Sequence, residues 1–202
     1  LSQNLFPILL SLTAAFLFAL GAMLQSVGLQ HIDPKSGAAI TTGVKNVAVG
    51  SFALDALNTG SENTAIGHQA LTSDTKGGRN VAIGHGTLST QNFTSATSSY
   101  NIAVGYNALT SSTTATQVTA LGFRAGEDST ANSSTFIGYL AGAETTTGSQ
   151  NTFIGASTAE SGVCTGTSNT AVGGNNFTGI TTGSYNCVMG THAMRNFQTG
   201  EG

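Results

Sequence analysis

With 202 residues, the chain has room for one or two domains. Only 7% of the residues are charged, far below the roughly 25% of typical soluble proteins, and Thr, Ser, Asn and Gly supply the polarity instead. The formal net charge of −3 offers no basic surface for phosphates, which argues against a nucleic-acid partner.

In chain order, the first element is apolar. Residues 1–32 contain no Lys, Arg, Asp or Glu, and the run from Leu5 to Leu24 reaches the ~20 residues that cross a bilayer. Pro7 falls in the first turn, where a missing N–H does little harm. A helix over 4–30 is expected, about 40 Å long at 1.5 Å per residue. A helix that is apolar all round must be buried in lipid or in protein. Three fates are open: a signal peptide that is removed, a membrane anchor touching lipid through residues 5–30, or a helix packed among copies of itself in a filament core. The third is the preferred reading, with Leu9, Phe16, Leu20 and Leu24 as assembly contacts. Residues 33–43 follow as a linker, opened by the turn sequence Asp33-Pro34-Lys35-Ser36-Gly37. Residues 17–38 resemble the first helix of small-molecule transporters of the drug/metabolite superfamily, but further spans are lacking and transport is not inferred.

Residues 44–202 are a repeat array. A motif of Asn, a polar or branched residue, Ala, Ile or Val, then Gly recurs nine times, from Asn46-Val47-Ala48-Val49-Gly50 to Asn186–Gly190. The motif glycines lie 17, 17, 21, 17, 16, 17, 18 and 17 residues apart. A fixed period of this kind marks a solenoid, in which no coil buries its apolar face alone. Each coil is expected to hold two strands of 4–5 residues. One ends at the motif glycine and the second carries a later apolar pair such as Ala53-Leu54, Ala70-Leu71 or Ala108-Leu109. The expected fold is therefore all-β, a parallel β-solenoid of about nine coils preceded by one apolar helix. At ~4.8 Å per rung the array would span ~43 Å.

Strand alternation assigns roles to the motif positions. Thr64, Ile66 and His68 fall on one face, and Asn63, Ala65 and Gly67 on the other. The bulky face then needs a partner, either other coil residues or another chain. Seven of the nine units begin with Asn, so Asn63, Asn80 and Asn101 can hydrogen-bond up the stack as a ladder. His68, His85, Tyr106, Phe123 and Tyr139 share the slot after the glycine and would form a second ladder. Packing is its main reading, with a glycan-contacting strip or a metal site as alternatives. The sequons at Asn92, Asn132 and Asn176 are candidates for N-glycosylation. Cys164 and Cys187 lie one coil apart and are either bridged or packed singly in turns. Zinc-ligand spacing, a phosphate loop and a nucleophile elbow are lacking and the acids are scattered. No catalytic residue, cofactor or metal is therefore assigned, and the chain reads as a non-enzyme.

The units Asn63-Thr64-Ala65-Ile66-Gly67-His68-Gln69-Ala70-Leu71 and Asn101-Ile102-Ala103-Val104-Gly105-Tyr106-Asn107-Ala108-Leu109 resemble the head repeats of YadA-like trimeric autotransporter adhesins. They also resemble the Asn-Thr-Ala-Ile-Gly repeats of phage tail fibres. The resemblance covers residues 46–194 and implies a surface or fibre protein used for attachment. The array ends just before the next Asn is due, and exposed strand edges template further pairing. The leading expectation is an extracellular structural protein whose copies assemble head to tail into a fibre or filament. The alternatives are a trimeric adhesin or tail-fibre module binding a surface glycan, and a membrane-anchored display domain.

Overall fold

The structure is a computed structural model that describes residues 43–162, 164–179 and 181–195. The apolar segment with Leu9, Phe16, Leu20 and Leu24 lies outside the described residues. The described chain is all β, with no helix. Its main sheet is parallel and runs through strands of three residues each. In chain order these are β1 (Val47–Val49), β2 (Thr64–Ile66), β4 (Val81–Ile83), β6 (Ile102–Val104), β7 (Thr119–Leu121), β8 (Thr135–Ile137), β9 (Thr152–Ile154), β10 (Thr170–Val172) and β11 (Cys187–Met189). A separate pair, β3 (Gly77–Gly78) and β5 (Thr97–Ser98), joins the longest coil to the one before it. Each strand of the main sheet pairs in register with the next, as Ala65 with Ala82 and Ala82 with Ala103. The motif is thus the rung of a β-solenoid, and its period is one turn.

The expected second strand does not form. The residues after the motif glycine turn instead, and left-handed backbone recurs at every second position. Gln69 and Leu71 have φ of 57° and 52°, and Asn107 and Leu109 have 53° at both. A strand cannot hold such residues. Their backbone groups still pair between coils, Gln69 N–H to Ser51 O and Leu71 N–H to Thr87 O, both at 2.9 Å. A left-handed Leu costs about 1–2 kcal/mol. Leu71, Leu88 and Leu109 are fully buried, and burying such a side chain returns about 1.5–3 kcal/mol. Burial therefore offsets the strain.

The core is narrow, and most coils fill it from one side; the β7 coil supplies only Ala120 and Gly126, against which Leu109 and Phe136 of its neighbours pack. In the early coils the central strand residue is Ala (Ala65, Ala82, Ala103) and the turn supplies Leu71, Leu88 or Leu109, all with no exposure. In β8 and β9 the strand supplies Phe136 and Phe153, and the turn shrinks to Gly142 and Ala159. A β-carbon on Gly142 would lie 2.3 Å from the Phe136 ring. The next coil reverses the arrangement, with Ala171 in the strand and Phe177 in the turn. The three phenyl rings follow one another at 5.9 and 5.4 Å.

The motif glycines also stack. Gly105 has φ of 133°, and a β-carbon there would sit 2.2 Å from the Gly122 carbonyl oxygen. Both the backbone conformation and the space exclude a side chain. Gly105→Ala is therefore expected to cost about 3 kcal/mol or more, read as a lowered urea midpoint. Gly174 meets nothing closer than 3.7 Å, so Gly174→Ala is expected to stay within about 0.5 kcal/mol of the parent.

Candidate functional site

Two ladders run along the rod, one inside and one outside. The inner ladder is Asn. Asn63 Oδ1 accepts the Asn80 N–H at 3.0 Å and the Asn80 side-chain amide at 3.1 Å. Asn80 Oδ1 accepts the Asn101 N–H at 3.1 Å and the Ser99 hydroxyl at 2.8 Å. The amide nitrogens of Asn46, Asn63, Asn101 and Asn169 reach across the coil to a turn carbonyl, as Asn63 Nδ2 does to Gly77 O at 3.0 Å. The side chain thus ties a strand start to its own turn and to the next rung. Val118 interrupts the series, and its N–H is met by Asn101 Oδ1 at 3.0 Å. The ladder resumes through Asn151, Asn169 and Asn186, with the Asn169 and Asn186 N–H groups meeting the preceding Asn Oδ1 at 2.9 and 3.0 Å.

The outer ladder is aromatic. His68 and His85 stack at 5.0 Å, His85 and Tyr106 at 5.1 Å, Tyr106 and Phe123 at 5.4 Å, and Phe123 and Tyr139 at 5.2 Å. The ring planes lie within 23° of parallel, and Phe52 closes the first end edge-on against His68 at 5.8 Å. Interior faces are therefore occupied by neighbouring rings, and edges and hydroxyls are left to solvent. The slot beyond Tyr139 holds Ala156 and then Gly174, so no ring stacks on that face of Tyr139.

A third column escapes a search for chemical motifs. Lys45, Glu62 and Arg79 are 17 residues apart and meet on the surface. Glu62 lies 3.4 Å from Lys45 and 2.9 Å from Arg79, whose guanidinium also lies 5.4 Å over the Tyr100 ring. Their equal spacing was the signal that could have revealed them. Hydrogen bonds from Arg79 and Lys45 hold the Glu62 carboxyl below its ordinary range. Glu62 and Arg79 border an open cleft of about 210 Å³ lined also by Lys76, Thr97 and Ser98, and Lys76 Nζ donates to Thr94 O at 2.9 Å. Sequence reading also missed Asp74, a fully buried carboxylate. It accepts the Gly77 N–H at 2.8 Å and the Gln91 amide at 2.7 Å. Gln91 in turn accepts from Asn101 at 2.8 Å, which joins Asp74 to the inner ladder.

The remaining candidates separate. Asn92 and Asn132 are exposed, whereas Asn176 is buried and its amide donates to Gly190 O at 2.9 Å. The folded chain therefore withholds Asn176 from glycosylation. Cys164 and Cys187 are not bridged. Cys164 packs inside the coil, where burial raises its thiol pKa, while Cys187 is exposed on β11. Among the described residues no group of three His, Cys, Asp or Glu could hold a metal ion, and no helix is long and apolar enough to cross a membrane.

The fold and its ladders define the class: a parallel β-solenoid rod built from tandem repeats. Comparison with family models, with curated proteins and with solved structures finds no match.

Asn63→Ala would strip the Asn80 donors of their acceptor and the Gly77 carbonyl of its donor. A loss above about 2 kcal/mol is expected at 1–3 kcal/mol per orphaned buried group, checked by urea denaturation. The Glu62 ion pairs act through the depressed folded pKa. Their contribution is present above the ordinary glutamate range and is lost as pH falls through the folded value. NMR titration is expected to place the Glu62 midpoint below that of an ordinary glutamate, and Arg79→Met to move it upward.

Proposed function

We propose that the chain is a non-enzymatic structural protein, the subunit of an extracellular fibre or filament assembled from copies of itself. The observation that carries this reading is the direction of its bonding. Backbone bonds, the Asn ladder and the ring ladder all run between successive coils, from Asn46 to His192. A body built this way is an axial rod, whose usual work is reach and display. Glu62 is engaged with Arg79 and Glu127 with Arg124, and the buried Asp74 is held by the Gly77 N–H and the Gln91 amide. Residues 1–32, apolar by sequence, suit a place in the filament core, and repeated head-to-tail contact of the rods would extend the array.

A second reading is an adhesin or tail-fibre module that binds a surface glycan. It is favoured by the ring face of Tyr139 that no other ring covers, beside the small residues Ala156 and Gly174. A pyranose stacks on such a face. The rod would then present the sugar site rather than serve as bulk polymer.

Cryo-electron microscopy of the intact chain without detergent separates the two. Filaments with one subunit per helical step are expected. Discrete three-fold rods would favour the module, and dependence on detergent would point to a membrane-anchored display domain.

A further inference from the structure

The stack departs furthest from its period between Gly84 and Gly105, where the spacing widens to 21 residues. In this coil Thr97–Ser98 lies alongside Gly77–Gly78 as β5 on β3, and the cleft of about 210 Å³ opens at this pair. Its volume falls below the ~300–1,000 Å³ of drug-sized pockets and suits a single sugar ring. Positive charge gathers here. The described residues hold five Lys and Arg, and three of them, Lys45, Lys76 and Arg79, lie in or beside the cleft. The acids near them are Glu62, in the cleft wall, and Asp74, which is fully buried beneath the turn.

The two cations of the lining are held differently. Arg79 is fixed: its Nε donates to Glu62 at 2.9 Å, and its Nη1 donates to the Ser98 and Tyr100 hydroxyls. A guanidinium carries five N–H donors, and the two on Nη2 have no partner among the described residues. Lys76 Nζ donates to Thr94 O at 2.9 Å, and no carboxylate of the described residues lies within ion-pair distance of it. Two of its three ammonium donors therefore remain. Hydroxyls surround these cations. Ser61 accepts the Val44 N–H and Ser98 accepts from Arg79, so each keeps its own O–H to donate. Thr97 donates to Ser95 O at 3.0 Å and keeps its lone pairs to accept.

We propose that this cleft binds an acidic sugar, a hexuronate residue of a glycan. Its carboxylate accepts from Lys76 and from Arg79, whose planar guanidinium matches a planar carboxylate. Its ring hydroxyls meet Ser61, Thr97, Ser98 and Glu62. Glu62 separates a sugar acid from a bare anion: its carboxylate repels phosphate but accepts from a sugar hydroxyl. Arg79 is already fixed before the ligand arrives, which lowers the entropy lost on binding. The inference goes beyond the fibre reading and does not depend on it, and the site is separate from the Tyr139 ring.

The test is saturation-transfer difference NMR with calorimetry on the full chain, which reads the ligand whether the rods are single or assembled. The probes are methyl β-D-glucuronide, methyl β-D-glucoside and inorganic phosphate. The glucuronide is expected to bind, the glucoside to bind at least tenfold more weakly, and phosphate at equal concentration to leave the glucuronide signal in place. Lys76→Met is expected to raise the glucuronide dissociation constant at least tenfold, as loss of a hydrogen bond to a charged group does, with an unchanged circular dichroism spectrum. Lys76→Arg keeps the charge and is expected to bind as the parent does. If Lys76→Met loses its spectrum, Arg79→Met decides by the same readout. Equal binding of the two sugars, displacement by phosphate, or a folded charge variant that binds like the parent would overturn the site. Sugar binding that survives loss of the cations would leave a glycan-binding rod intact and move its contact elsewhere. Absence of binding by either sugar would overturn the cleft and leave the fibre reading untouched.

Discussion

The structure depends on one constraint: each coil must lie in register on the next, at the spacing of a parallel sheet. With strands only three residues long, a bare strand ladder would pin this register weakly. The buried Asn side chain supplies what the strands lack. Its oxygen takes the N–H of the following rung, and its amide holds a turn carbonyl, as Asn63 does for Asn80 and Gly77. A slip by one residue would move every Asn to the outer face and orphan these groups inside. The same spacing brings the motif glycines against one another, and it allows no β-carbon there.

Within that constraint the core has a fixed width and admits one large side chain per level. Leu from the turn and Phe from the strand are alternative ways to fill it. Gly142 opposite Phe136, and Ala171 opposite Phe177, are the compensations that make each choice fit. Placing Leu in the turn forces left-handed backbone on a branched residue, which full burial offsets. Stability in such a rod is a sum over neighbouring coils, so a change in one level is felt chiefly by the levels on either side.

The surface is made of what the coil cannot take in. Alternation sends half of each rung outward, and on this rod the outward half is largely branched and uncharged. Along the surface Glu62 pairs with Lys45 and Arg79, and Arg124 with Glu127. The ring ladder follows the same logic. Its members serve one another, and Tyr139 alone keeps a face towards a small-residue slot.

Much of this was legible in the residues. The glycine spacing disclosed the solenoid, the recurrent Asn disclosed the inner ladder, and the shared slot of His68, His85, Tyr106, Phe123 and Tyr139 placed the rings together. These features repeat at a fixed interval, and stacking turns an interval in sequence into a contact in space. The sequence could not determine the conformation between rungs. Ala70-Leu71 reads as strand by its apolarity, and only the packed coil, where a buried Leu offsets a left-handed backbone, makes it a turn. Nor could it show that Asp74 is buried, that Asn176 is withheld while Asn92 is exposed, or that Cys164 and Cys187 stand apart. Those outcomes depend on how each coil closes on itself, and that closure is decided by tertiary packing rather than by any local preference.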